Sequence, residues 1–450
     1  MRTILSILCA LTFMSSSFAQ KSLTLDKAIT IALHKNTILQ KSKNNLEVTE
    51  SGVRAAVGNF LPTLSAGSNW NWNRSEDAGG SINIGGTVIP VPPSTNESRN
   101  YSGNVTARLT LFDGLSNFAT LSRSKKDYNA AKLDLQRLKQ NIVFQTITLY
   151  YNVIVAKHLL QVREDDLKWN KRNLETVTER NKLGAVTLAD VYAQQVKTGN
   201  SELALIKAKN NFETAKSNLL NYLAVDVLGN YKFSDELTSE EKTTLNEKLD
   251  IDYKNISQLV SKALNARTDY QSAQLKLESA NKGITIARAG HLPTLSNTFS
   301  YNLRSNRIEN LLDSRTYFIG LSLNIPLFSG FRVSNNVQFA EVTAQNKEIE
   351  LNDLERGIKL NLQKTYLDLQ AAEKSLQVNK RNVKAAEETR KIEQERYTLG
   401  SGTLLNVLIA SSDYTTARTN YITAQFEFIR LSKQLKYYLG VLNYKKYENN

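Results

Sequence analysis

The chain has 450 residues, 41% of them hydrophobic, a formal net charge of +14 and one cysteine. That cysteine, Cys9, lies in an N-terminal apolar leader, so the exported chain has no thiol for disulfides, thiolate metal sites or cysteine catalysis. Lysine, arginine and acidic residues are interspersed rather than clustered, which argues for solvated helix faces and against a nucleic-acid surface.

Arg2, the apolar run Ile4–Phe13 and the small-residue site Ser17-Phe18-Ala19 form the pattern of a secretory signal, with Gln20 expected as the first mature residue. No other stretch approaches the ~18 consecutive apolar residues of a membrane-spanning helix. Thr24–Val57 reads as a helix leading into strands, and Asn255–Ala289 reads the same way in the second half. Four segments alternate with period two: Thr63–Arg74, Tyr101–Phe112, Thr294–Arg304 and Thr316–Phe328. Each puts apolar side chains on one face and Thr, Ser, Asn or Arg on the other. Each is long enough to cross a bilayer when tilted, the pattern of a transmembrane β-barrel. Trp70, Trp72, Tyr101, Tyr301 and Tyr317 stand toward the loop ends, as a membrane-interface girdle requires. The Ser/Asn/Pro-rich stretch Ser75–Asn100, with Gly79-Gly80 and Gly85-Gly86, reads as a flexible loop.

Between Gly114 and Gly184 there is no glycine or proline, and between Gly330 and Gly400 only Gly357. A helix of about 68 residues, roughly 100 Å long, is therefore expected in each. Such helices need coiled-coil-like partners. The seven-residue series Leu121, Tyr128, Leu135, Ile142, Leu149, Ala156 and its counterpart from Val337 supply an apolar seam. Midway each seam hands over to a second, Val153 to Leu174 and Leu362 to Val383. Gly184 and Gly400 are expected to end these helices in the left-handed conformation, with Thr187 and Thr403 capping the return helices Thr187–Val225 and Thr403–Val441.

The two halves are copies. Leu111-Phe112-Asp113-Gly114 recurs 216 positions later as Leu327-Phe328-Ser329-Gly330, and Glu179-Arg180…Leu183-Gly184 as Glu395-Arg396…Leu399-Gly400. The expected organisation is a leader at 1–19, a first repeat at 20–225, a linker at 226–254, a second repeat at 255–441 and a short tail at 442–450. The fold class is mainly α with transmembrane β. Four strands do not close a barrel, and an open edge is not tolerated in lipid. Two copies give eight strands with a filled interior. Three give a 12-stranded trimeric barrel continued by an α-helical coiled-coil barrel.

In this order, the opening Leu23-Thr24-Leu25-Asp26-Lys27-Ala28-Ile29, Leu61-Pro62 with its repeat Leu292-Pro293, Ile325-Pro326-Leu327-Phe328-Ser329-Gly330 and the two Leu-Gly turns resemble the TolC-family outer-membrane efflux proteins over essentially the whole mature chain. The resemblance implies a homotrimeric exit duct in the outer membrane extending into the periplasm, for efflux or type I secretion. Its implied partners are outer-membrane lipid, a periplasmic adaptor (membrane fusion) protein, and an inner-membrane RND or ABC transporter. It places adaptor contacts at Leu183, Gly184, Ala185, Leu399, Gly400 and Ser401, and a periplasmic gate at Asp190, Tyr397, Asn406 and Ile409. Relatives carry aspartates at the positions of Asn406 and Ile409, and an arginine at that of Gly402. A neutral gate is therefore expected, with Tyr397 and Asp190 left to pair and hold the turns inward, or with Asp190, three positions after Thr187, only capping its helix. His34, His158 and His291 have no ligand spacing, and no nucleophile, phosphate loop or metal motif is present, so neither an enzyme nor a cofactor or metal is expected. The alternative is an adaptor-like coiled-coil scaffold, but no residues remain for the compact β-rich domain that adaptors need.

Overall fold

The computed structural model describes residues 21–234, 242, 245 and 256–448. The expected leader and most of the expected linker lie outside these residues. A short strand β1 (Lys21–Leu23) precedes α1 (Leu25–Lys35) and α2 (Thr37–Gly58). Strands β2 (Thr63–Asp77), β3 (Gly80–Ile84), β4 (Thr87–Val91) and β5 (Ser94–Phe112) follow. Next come α3 (Ser116–Lys182), α4 (Leu188–Tyr222) and β6 (Tyr231–Phe233). The second half repeats the order with α5 (Ile256–Ala266), α6 (Thr268–Ala289), β7 (Thr294–Ser305), β8 (Arg315–Asn324), α7 (Arg332–Thr398) and α8 (Leu404–Tyr438).

The duplication extends to backbone conformation. Both long helices have 67 residues and both return helices 35. Leu115 (φ 71°) and Phe331 (φ 62°) each follow a left-handed glycine, Gly114 and Gly330, at equivalent positions. Ala224 (φ 53°) matches Gly440 (φ 75°) at the ends of the return helices. Ala224 thus holds a conformation that costs a residue with a Cβ roughly 1–2 kcal/mol.

Three expectations need correction. Neither leading helix is continuous. The first breaks at Asn36, whose Oδ1 accepts from the Ile38 and Leu39 amides at 3.0 and 3.2 Å and so caps α2. The second breaks at the equivalent Arg267. The stretch Ser75–Asn100 is not an irregular loop: β2 and β5 stay paired through it from Asn71↔Asn100 to Asp77↔Ser94. Beyond them β3 and β4 form a hairpin turned at Gly85 and Gly86, both at positive φ, a geometry that glycine pairs supply. The fourth strand ends at Asn324, ahead of Pro326, rather than at Phe328.

The chain divides into two compact units, and each draws on both repeats. The first comprises Met1–Asn44, Leu133–Gln271 and Asp353–Asn450. One core of this unit packs Ala263 of α5, Ile358, Leu362 and Leu369 of α7, and Phe428, Leu431 and Leu435 of α8. These include members of both expected seams of the second repeat. Each fully buried large side chain contributes about 1.5–3 kcal/mol. Thr365, the one polar member of its seam, is buried as well. In the same unit β1 pairs in parallel with β6, and the Tyr150 hydroxyl donates to the Leu23 and Ser234 carbonyls at 3.1 and 2.6 Å.

The second unit comprises Asn45–Lys132 and Ser272–Asn352 and holds a four-stranded antiparallel sheet in the order β2-β5-β7-β8. Strands from the two repeats meet at β5–β7, from Tyr101↔Ser305 down to a register shift between Thr110 and Phe112.

Candidate functional site

The sheet is two-faced. Pairing aligns Ala66 with Val105, Val105 with Tyr301 and Tyr301 with Tyr317, so apolar residues from all four strands share one face. On it Leu64, Trp70, Trp72, Tyr317, Ile319, Leu321 and Leu323 are more than half exposed. No layer of this chain covers that face among the described residues. The opposite face carries Asn, Thr and Ser, with Phe318 its one aromatic. Strands β2 and β8 are the sheet's edges and have no partner strand beyond them among the described residues. An apolar, uncovered face with two open edges is costly in water and impossible in lipid unless further strands close it.

The expected girdle residues occupy two levels. Trp70 opposes Tyr101, with ring centroids 6.5 Å apart, and Tyr301 opposes Tyr317 at 5.1 Å. Tyr301 aligns with Val105, four residues from Tyr101, about 13 Å along the strand.

At the far ends of the long helices the two turns share one geometry. Gly184 (φ 71°) and Gly400 (φ 78°) take the left-handed conformation. The Ala185 amide returns to the Arg180 carbonyl at 2.8 Å and the Ser401 amide to that of Arg396 at 2.9 Å, which closes each helix as a Schellman motif. Leu183 and Leu399 protrude at the tips, each 83% exposed. Behind them Val177, Val191, Tyr397, Leu404 and Val407, one or two from each of the four helices, make a small apolar core. Asn406 and Ile409 lie on the exposed side of α8, and so does Asp413, one turn further along the same face.

The expected Tyr397–Asp190 pair is not formed. Asp190 is engaged by its own N-cap: its Oδ2 accepts from the Thr187 amide at 3.0 Å and from the Thr187 hydroxyl at 2.7 Å, while Thr187 Oγ1 accepts from the Asp190 amide at 3.2 Å. Such a capping box is local chemistry that competes with a long-range latch. The Tyr397 hydroxyl is buried and has no hydrogen-bond partner among the described residues. Burial raises its pKa, the Arg180 charge opposes that and the Asp190 charge adds to it. Sequence reasoning missed Arg180. Its Nη1 donates to the Tyr397 carbonyl at 2.9 Å, and its guanidinium lies 4.7 Å from the Tyr397 ring centroid. An arginine at Gly402 has little room, because a Cβ there meets the Tyr397 nitrogen at 3.0 Å. Arg180→Ala is therefore expected to loosen the turns and raise resting conductance, whereas Asp190→Ala costs about 1 kcal/mol of helix capping and leaves conductance unchanged. Single-channel recording of the two variants checks this, and the reverse order restores the Asp190 latch.

Above the first turn a buried polar zipper joins α3 to α4. Asn173 donates to Gln194 at 2.8 Å, Gln194 to the Asn170 carbonyl at 3.1 Å, and Asn170 to Ser201 at 2.9 Å. Asp166 accepts from Ser201 at 2.8 Å and from Thr415 of α8 at 3.0 Å. The second repeat has Ala386, Ala410 and Ala417 where the first has Asn170, Gln194 and Ser201. These directional bonds hold the first hairpin, and alanines at the equivalent positions of the second cannot make them.

One two-faced transmembrane sheet built from two strand pairs, and two long helical hairpins, define the protomer of an outer-membrane channel. The profile described as outer membrane efflux protein matches residues 28–225 and 259–441, and the chain belongs to that family. It is 24% identical over 455 residues to "Outer membrane protein TolC" of Salmonella enteritidis, spanning 98% of this chain and 87% of that protein. To the protein of the same name from Escherichia coli (strain K12) it is 23% identical, with the same coverage. Among solved structures, CusC superimposes with a TM-score of 0.80 at 17% identity, covering 95% of each chain. The protein is an outer-membrane channel of the efflux or secretion type with a periplasmic extension, not an enzyme. The scaffold alternative falls with that membership.

Proposed function

We propose that three copies close one 12-stranded barrel and form the passive exit duct of a tripartite efflux or type I secretion system. The observation that carries this is the sheet with one uncovered apolar face and two open edges, β2 and β8. Joining β2 of one copy to β8 of the next removes every edge, and three four-stranded sheets are the smallest set that leaves a water-filled lumen. Trp70, Trp72, Tyr101, Tyr301 and Tyr317 then face outer-membrane lipid, and the 20–225 and 255–441 repeats each contribute a strand pair and a helical hairpin. An inner-membrane RND or ABC transporter supplies cargo through a periplasmic adaptor.

The adaptor docks at Leu183, Gly184, Ala185, Leu399, Gly400 and Ser401. Open space surrounds Gly184 and Gly400, with no atom within 4 Å of an added Cβ, so substitution there strains the turn without a clash. Gly184→Val and Gly400→Val are expected to cost about 1–2 kcal/mol each, to reshape the docking surface and to leave barrel insertion intact. Crosslinking to the copurifying adaptor and export measured in the same cells test this. Full crosslinking and export in both variants remove the tips from the docking role.

A further inference from the structure

The four-stranded part of the sheet carries charge of one sign only. Residues 63–70, 101–112, 294–305 and 315–324, over which the four strands pair, contain three arginines (Arg108, Arg304 and Arg315) and no aspartate, glutamate or lysine. Register divides them between the faces. Arg108 opposes Thr63 and Thr298, and Arg304 opposes Ser102, so both lie on the polar face. Arg315 opposes Leu303, so it lies on the apolar face near its outer end. Arg108 and Arg304 are exposed, and neither guanidinium has a carboxylate partner among the described residues. Beyond this zone the β2–β5 extension carries charge of both signs: Arg74 bridges Glu76 and Glu97, Arg99 opposes Trp72, and Asp77 opposes Ser94 on the polar face. The Arg108 and Arg304 guanidiniums both stand unneutralised among Ser, Thr and Asn of the polar face.

We infer that the barrel lumen selects for anions and that the duct's cargo is anionic, a carboxylate-, phosphate- or sulfate-bearing molecule. This rests on the trimeric duct proposed above. Three copies put two rings of three guanidiniums in the lumen. Thr298 and Arg304 are six residues apart on one strand, so the rings are separated by about 20 Å of strand. That exceeds the Debye length of ~8 Å at physiological salt, so each ring acts separately. Low-dielectric walls focus the field of each ring into the lumen, which raises the local anion concentration and depletes cations.

The test is the reversal potential of the purified full-length protein in planar bilayers under a KCl gradient. The expected chloride-over-potassium permeability ratio is about three or more, falling towards one in the Arg108→Gln/Arg304→Gln double variant, with each single variant intermediate. Arg108→Lys/Arg304→Lys keeps the charge and retains the preference, which excludes a mere folding defect. Arg315→Gln, on the apolar face, leaves the ratio unchanged. In proteoliposomes a carboxylated fluorophore should pass faster than a cationic one of the same size, and the double variant should equalise them. Potassium preference, or an anion preference that survives the double variant, overturns the inference while leaving the duct standing. A protein that inserts and never conducts removes the duct, and the inference with it.

Discussion

Asp269→Ala is expected to destabilise the chain by about 3–5 kcal/mol. Asp269 is the one carboxylate shared by two buried arginines. Arg267 donates to its two oxygens at 3.0 and 2.6 Å, and Arg137 Nε lies 3.4 Å from Oδ2. The same guanidiniums hold the end of α8: Arg137 donates to the Tyr437 carbonyl at 2.9 Å and Arg267 to the Tyr438 carbonyl at 3.2 Å. Positive charge there also complements the negative end of the helix dipole. Arg137 packs 3.9 Å from the Tyr437 ring centroid as well. Removing the carboxylate leaves two like charges buried side by side, far costlier than losing a surface ion pair.

The pH dependence follows in sign. Burial pushes the Asp269 pKa up, but the Arg267 hydrogen bonds and the charges of Arg137 and Arg267 outweigh it and hold the pKa below the ordinary carboxylate value. A depressed folded-state pKa gives stability that is complete above the unfolded pKa and is lost as pH falls through the folded one. Melting curves should therefore show this contribution intact at neutral pH and fading only in acid, below about pH 4. The variant should lose that part of the acid slope. Equal melting temperatures for parent and variant at pH 7 would falsify the anchor.

Asn406→Asp is expected to make the channel sensitive to divalent cations from the periplasmic side. Val407 and Leu404 are buried, which turns Asn406 and Ile409 outward on the first turns of α8. If these positions line the gate, the unmodified constriction offers divalent ions an amide and an aliphatic side chain. Hard cations bind weakly to such a site because they favour carboxylate oxygens. Three introduced carboxylates around one axis should lower the half-blocking concentration at least about tenfold, some 1.4 kcal/mol of binding. Asp413 is the nearest natural carboxylate on the same face. It sets whatever block the parent shows, and Asp413→Asn should remove it. Strong block of the parent that vanishes in Asp413→Asn places the acidic ring one turn deeper and ends the neutral-gate reading.

Periodicity made much of this architecture legible. Two long runs without helix breakers, Ser116–Lys182 and Arg332–Thr398, each ended by a left-handed glycine, left few alternatives to a helical hairpin. Period-two alternation located all four sheet strands, because each has only one apolar face. What escaped were features set by partners distant in sequence. Asn36 is the exception, a local cap onto the Ile38 and Leu39 amides, and like Arg267 it breaks its helix without a glycine or proline to mark the break. The β3–β4 hairpin hid in a Ser/Asn/Pro-rich stretch, although Ile82 and Ile84 share one of its faces with Ile89 and Val91. Arg180 lies 217 residues from Tyr397, and the Arg137–Asp269–Arg267 cluster joins three separate helical segments or their junctions. At the gate, resemblance suggested a pair that local capping chemistry had already claimed, and Asp190 with Thr187 three positions before it carried that signal.

The mass of the detergent-solubilised particle, measured on the same preparation that conducts in bilayers, tests the central claim most directly. Three protein chains per particle, with conductance lost when the particle dissociates, is the predicted result. A stable single chain that still conducts would contradict it, because four strands with two open edges would then be forming a pore alone.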